Sequence, residues 1–234
     1  MADAVTWIRV GELGKIIRAF RAASVRRAVM AGGIQKVRLF SGFRPDLRGA
    51  AFLARMRSFH DDALLRGIAA ELERDGITVV ESTLFLSELV TTAGTLGRTS
   101  PKRGDAKDIA LGFRIAKDVG RWDVGQSLVL KNGVVLAVEG IEGTDACIRR
   151  GGELARGEAI VVKVAKPAQD LRFDVPAVGP GTIATMVEAK ARLLALEAGR
   201  TLILDREEFL ARADAAKIAV VGVDEASLPA ADHD

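Results

Sequence analysis

The sequence predicts an α/β protein of two α/β domains. Short apolar strands alternate with amphipathic helices, glycines punctuate the ends of both, and a polar stretch near the middle divides the chain. With 234 residues, 49% hydrophobic and 28% charged, there is ample material for a core.

In chain order, 5–10 reads as a strand and 12–22 as a helix with Leu13, Ile16, Ile17 and Phe20 on one face. Strand 27–31 runs into Gly32-Gly33. Helix 61–74 turns Leu64, Leu65, Ile68 and Leu72 inward, takes N-terminal negative charge from Asp61 or Asp62, and is stopped by Gly76 before strand 77–81. The stretch 91–107, rich in Thr, Gly, Arg and Lys, reads as a linker. Beyond it come helix 105–119 and a hairpin, 126–130 and 134–139, turned by Asn132-Gly133, where both residues tolerate positive φ. Helix 144–154, interrupted at Gly151-Gly152, precedes strand 159–164 and an irregular loop, 170–181. A long helix, 182–198, is expected to end at Gly199, followed by strand 201–204, helix 207–215 and strand 218–223. The domains are placed at 1–97 and 98–225, with a disordered polar tail over 226–234. The first is Rossmann-like but incomplete. It opens directly on a strand and helix without the glycine-rich β–α turn of a nucleotide-binding domain, so its first βαβ unit is expected to be missing.

Composition excludes several classes. Aromatic residues are 5% with no Tyr, too few for a protein that stacks bases, so no nucleic-acid partner is expected. The net charge of +3 suits an ordinary solvated surface, or mild attraction to an anionic substrate or membrane surface. A single cysteine, Cys147, rules out an internal disulfide and a cysteine metal cluster and fits a reducing cytosol. No apolar run reaches ~18 residues and no signal peptide opens the chain, so a cytoplasmic location is expected. The two histidines, His60 and His233, have no triad partners in view, and Trp7 and Trp122 read as packing residues.

Common catalytic motifs are absent, which leaves carboxylates and loops. In 137–145 a strand gives way to a helix that Thr144 or Asp145 can cap, with free N–H groups able to hold phosphate. Glu139, Glu142 and Asp145 stand close enough in sequence to ligate Mg²⁺, or merely to answer the helix dipole. In 166–182, three prolines and two glycines fix an irregular path that presents Lys166 and Arg172 to anionic oxygens and Asp170 and Asp174 to metal or water. Thr182 stands at the start of the next helix. The same loop also reads as a plain surface connection. A third candidate, 57–62, offers His60 and the Asp61-Asp62 pair, which more often only cap a helix.

Taken together, Trp122-Asp-Val-Gly-Gln126, Leu136-Ala-Val-Glu139, Glu142-Gly-Thr-Asp145, Lys166-Pro, Gln169-Asp and Asp174-Val-Pro-Ala-Val-Gly179 with Thr182 resemble the bacterial UDP-2,3-diacylglucosamine pyrophosphatase family of the LpxI type. Upstream, Gly11-Glu-Leu-Gly14, Ala31-Gly-Gly33, Asp61-Asp-Ala-Leu-Leu65 and Leu96-Gly97 fit in order, so the resemblance runs from Val5 to Asp224. Ala177 stands where the family usually has Thr. The resemblance implies two α/β domains with the acylated sugar held between them. It implies cleavage of UDP-2,3-diacylglucosamine to 2,3-diacylglucosamine 1-phosphate (lipid X) and UMP, dependence on Mg²⁺, and Asp174 as the essential carboxylate. Beside Asp174, the expected substrate contacts are Gln126, Gly143, Thr144, Asp145, Lys166, Gln169, Arg172, Gly179 and Thr182. Peripheral contact with the inner membrane surface and a homodimer are further expectations. The competing readings are a protein that binds lipid X or a nucleotide-sugar without turnover, and a module acting on a soluble UDP-sugar.

Overall fold

The computed structural model describes residues 2–31, 44–56 and 61–229, without the side chains of Asp61 and Asp62. The expectations placed on Gly32-Gly33, on 57–60 and on His233 lie outside these residues. The chain forms two compact units: Met1–Phe85 with Asp170–Asp174, and Leu86–Gln169 with Val175–Asp234.

In the first unit, helix α1 (Leu13–Ala22) buries Leu13 and Ile17, one turn apart, with Ile16 and Phe20 beside them. Strand β1 (Arg27–Val29) pairs in parallel with β2 (Thr78–Val80), Ala28 opposite Val79. Between them lie α2 (Leu47–Arg55), capped by the Asp46 carboxylate on Gly49 N–H, and α3 (Asp61–Arg74). Leu13, Ile17, Phe52, Ala69, Leu72, Ile77 and Val79 form one core. The strand expected over 5–10 is not formed. Val5 and Trp7 are 70% and 87% exposed, so no buried face favours pairing, and Glu12 turns back to accept from Arg9 N–H at 2.9 Å.

The second unit is a three-layer sandwich. Its sheet contains β3 (Gly94–Thr95), β4 (Ser127–Lys131), β5 (Val134–Val138), β6 (Ala159–Lys163), β8 (Ala191–Glu197) and β10 (Ala219–Val223), in spatial order β3-β10-β8-β6-β4-β5. Strands β6, β8 and β10 are parallel, while β4 runs against both β6 and β5. A short parallel pair, β7 (Ala177–Val178) with β9 (Leu202–Ile203), stands apart. Helix α4 (Asp105–Arg121) covers one face, packing Ile109, Phe113 and Ala116 on Leu128, Leu130, Ile160, Val162 and Leu193. Helices α5 (Thr144–Ala155), α6 (Pro180–Glu188) and α7 (Arg206–Ala215) cover the other, with Cys147, Ile148, Met186 and Phe209 on Val129, Val161, Leu194 and Val220. Neighbouring residues of one strand thus enter opposite cores, as pleating requires.

The structure departs from the sequence expectations at several elements. The helix predicted over 182–198 is α6 followed by a strand. Lys190 takes φ +52° and turns the chain, and Ala191–Glu197 becomes β8 in the middle of the sheet. Ala and Leu favour a helix in isolation, but a strand buried on both faces calls for the same unbroken apolar run. The linker expected over 91–107 contains β3, which pairs antiparallel to β10, and Thr91 is buried. Gly151 and Gly152 do not interrupt α5. Gly151 lets the helix lie against β4, since a Cβ there would fall 2.4 Å from that of Val129, and Gly152 does the same against Ala189, at 2.5 Å from its Cβ. Trp122 is 83% exposed, so neither tryptophan is a packing residue. Within the stretch expected to be a disordered tail from 226, Glu225–Ser227 forms a 3-10 turn capped by Asp224. The hairpin turn is as predicted, with Asn132 and Gly133 at φ +50° and +78°.

An ion pair ties α4 to the start of β8. Buried Asp105 receives both Arg192 terminal nitrogens, at 2.6 and 2.7 Å, and Lys102 N–H at 2.7 Å. The Arg192 hydrogen bonds hold this carboxyl below the usual aspartate range against the opposing effect of burial. Its contribution is therefore present at neutral pH and fades as pH falls below about 4, through the lowered value. Replacing Asp105 with Asn removes the buried partner and leaves Arg192 only the exposed Glu158, 3.1 Å from its Nε, and should cost about 2 kcal/mol in urea unfolding at pH 7. The deficit relative to wild type should shrink towards pH 3. Cys147 is fully buried, and burial pushes its thiol up to about 12. It should resist thiol reagents at pH 8 in the folded protein and react on unfolding, as a labelling time course would show.

Candidate functional site

Ligands of open α/β sheets bind beyond the carboxyl ends of the parallel strands. In the second unit that edge is formed by the ends of β6 at Lys163 and β8 at Glu197, by the end of β5 at Val138, and by the start of α5. Strand β4 begins at the same edge with Ser127, because it runs the other way.

A half-buried polar network stands there. Lys163 Nζ donates to Thr144 Oγ1 at 2.7 Å, and the Thr144 hydroxyl donates to Glu139 Oε1 at 3.0 Å. Ser127 Oγ lies 3.4 Å from the same hydroxyl, and Gln126 N–H points to Glu139 Oε2 at 3.4 Å. Ser127, Glu139 and Lys163 are buried, so one cation and one anion share a site that is nearly neutral in sum. Helix α5 opens from Gly143 at φ +82°, with no side chain capping its first turn. An uncapped helix start beside an ammonium and a hydroxyl suits an anionic oxygen. The Gln126 side-chain oxygen is buried without a hydrogen-bond partner among the described residues.

Of the site residues expected from sequence, Gln126, Glu139, Gly143 and Thr144 gather at this edge, and Asp145 is exposed in the first turn of α5. Glu142 is drawn elsewhere. It accepts from Arg150 at 2.6 Å and from Gly140 N–H at 3.1 Å, and Arg150 holds its carboxyl below the usual range. Glu139, Glu142 and Asp145 therefore do not assemble as a ligand set. Among the described residues no three Asp, Glu, His or Cys side chains come together as one. Lys163 and Ser127 were missed. The one signal for Lys163 is a charge ending the buried run Ala-Ile-Val-Val-Lys163.

The departure of the chain from β6 is held by a buried ion pair. Glu197 Oε1 lies 2.6 Å from Lys117 Nζ, Glu197 Oε2 accepts from Ala165 N–H at 2.7 Å, and Lys117 Nζ donates to Ala165 C=O at 3.0 Å. Both polar groups of Ala165 are satisfied where no neighbouring strand is left to do so. The next residues form a turn, with Lys166 N–H on Gln169 Oε1 at 2.9 Å and Gln169 N–H on Lys166 C=O at 3.0 Å. Lys166 Nζ pairs with Asp123 at 2.5 Å. Lys166 and Gln169, predicted to contact substrate, thus also shape the turn.

Asp170–Asp174 then joins the first unit. Asp174 is exposed, its N–H bonded to Asp170 C=O at 3.1 Å. Arg172 is engaged by Asp170 and by Glu73. Beyond this segment, Leu202 N–H bonds Pro176 C=O and β7 forms, so the loop expected over 170–181 is partly ordered as strand. Helix α6 begins at Pro180, two residues before Thr182, whose hydroxyl turns back to Gly179 N–H at 3.4 Å. Gly179 and Thr182 thereby cap their own helix. Among the described helices none is long and apolar enough to cross a membrane.

Comparison with known proteins agrees with this architecture. Residues 1–89 match the LpxI N-terminal domain family and residues 92–221 the LpxI C-terminal domain family. A relative from Caulobacter vibrioides, UDP-2,3-diacylglucosamine pyrophosphatase LpxI, is 36% identical over 233 residues, covering 95% of this chain and 83% of its own length. With both domain families matched in order and that identity sustained along nearly the whole chain, the protein belongs to the LpxI family.

Proposed function

We propose that this protein hydrolyses the pyrophosphate of UDP-2,3-diacylglucosamine, releasing 2,3-diacylglucosamine 1-phosphate and UMP. The observation that carries the reading is membership of the LpxI family over both domains, with Asp174 presented as an exposed carboxylate on an ordered turn. Asp174 acts as general base, taking a proton from water as the water oxygen bonds to the sugar-side phosphorus. The bond from that phosphorus to the bridging oxygen breaks, and the bridging oxygen leaves on UMP. In the second unit, Lys163, Thr144 and the first N–H groups of α5 are donors suited to an anionic oxygen. The substrate's acyl chains bring the enzyme to the inner membrane surface from the cytoplasmic side.

The described residues do not form a protein cage for Mg²⁺. They suit an ion that arrives on the pyrophosphate as part of the substrate, since Mg²⁺ is commonly held by one or two carboxylates and the phosphates themselves. Such an ion neutralises phosphate charge. On this reading, EDTA should abolish turnover, while the thermal midpoint of the free protein should change by less than about 1 °C with millimolar Mg²⁺. A large Mg²⁺-dependent shift in scanning fluorimetry would refute the substrate-borne ion.

Asp174→Ala should fold like the wild type and lose roughly a hundredfold or more in UMP release. Near-wild-type turnover would remove Asp174 from the mechanism. Incubation with Mg²⁺ and the diacylated substrate separates the alternatives. Stabilisation by ligand without UMP marks a binding protein, and equal turnover of an unacylated UDP-sugar marks an enzyme of soluble nucleotide-sugars.

A further inference from the structure

Arg172 was expected to meet substrate phosphate, but its surroundings give it a different task. Its Nε and one terminal nitrogen fork onto the two Asp170 oxygens at 2.9 and 2.8 Å, and its own N–H reaches Asp170 Oδ1 at 3.2 Å. The other terminal nitrogen bonds Glu73 on α3 at 3.0 Å. The guanidinium plane lies over the Phe173 ring, 4.9 Å from its centre. Two carboxylates already answer its one charge. Arg66, also on α3, adds a longer pairing to Asp170 at 3.7 Å.

The same short segment is fastened at two further points. Phe173 packs against the first unit's core, and Ser82, just after β2, donates its hydroxyl to Leu171 C=O at 3.1 Å. Asp170 C=O receives both Phe173 N–H and Asp174 N–H, so the turn ending in Asp174 is closed on Asp170. These fastenings fall within four residues of Asp174, and Glu73, Arg66 and Ser82 lie in the first unit.

We propose that Arg172, with Asp170 and Glu73, is a positioning residue that fastens the Asp174 turn to the first unit and so aims the Asp174 carboxylate. The proposal rests on the reading of Asp174 as general base. A positioned base demands geometry finer than folding does, since misplacement by about 1 Å can cost a hundredfold in rate. Lysine cannot reproduce the planar fork.

The test combines kinetics with amide hydrogen exchange on Arg172→Gln, Glu73→Gln and Ser82→Ala, the last removing a single hydroxyl in case the first fails to fold. Arg172→Gln should lower kcat roughly tenfold or more while KM stays within about twofold, and Arg172→Lys should not restore it. Amides of Phe173 and Asp174 should exchange faster in all three variants, while those of β6 and β8 keep wild-type protection. In an Asp174→Asn background, Arg172→Gln should cost little further, because the group it aims is gone. A rise in KM at unchanged kcat would show instead that Arg172 holds substrate and would overturn the proposal. Faster exchange with unchanged kcat would overturn it too, as would unchanged exchange. Should Asp174→Ala retain full UMP release, the assignment of the base fails on its own, and exchange still reports whether Arg172 holds the turn.

Discussion

The geometry of the second unit turns on one buried ion pair. Lys117 on α4 and Glu197 at the end of β8 meet between helix and sheet, and together they take both polar groups of Ala165. A chain leaving the middle of a sheet loses its ladder partners on both sides, and an unsatisfied peptide there costs as much as a lost hydrogen bond. Here the two charges cancel one another and the peptide completes their coordination, which is the condition under which a buried pair is tolerated. Lys166–Gln169 therefore starts from a fixed point. The turn that follows hangs from an anchor built of three elements distant in sequence.

That anchor was invisible in the sequence for a physical reason. Lys117 reads as one more charge on an amphipathic helix, and Glu197 as the polar end of what resembled a long helix. Their meeting depends on β8 being a strand, and its Ala-Leu composition gives no local hint of that. The elements with a local signature were legible: the Asn132-Gly133 hairpin, the α3 stripe ended by Gly76, and the β6 run of buried apolar residues. The elements set by tertiary pairing were not. Strand β3 is two residues long and exists only because β10 offers an edge.

The candidate site divides in the same way. Glu139, Gly143 and Thr144 stood out because a strand end followed by a helix start carries its own chemistry, whereas Gln126 entered only through the family resemblance. Lys163 was hidden inside an apolar run, and Glu142 carried the wrong role because its partner Arg150 is fixed only once α5 is built. For Arg172, spacing gave the neighbourhood but not the partners, Asp170 and Glu73, that engage it. A cation in a loop looks available until its counter-ions, here Asp170 and Glu73, are placed around it.

The membership of Asp170–Asp174 bears on modularity. The chain passes from the first unit to the second after Phe85, returns for five residues, and leaves again at Val175. No single cut in the sequence yields two self-sufficient pieces. A fragment ending near residue 90 would keep the apolar ground on which Phe173 rests but lose Phe173. A fragment beginning there would carry Phe173 without the core it packs on and Arg172 without Glu73. Recombination that exchanged one domain for a distant relative's would have to conserve Ser82, Glu73 and the floor beneath Phe173 along with it. The two halves are thereby bound to diverge together, although each has a hydrophobic core of its own.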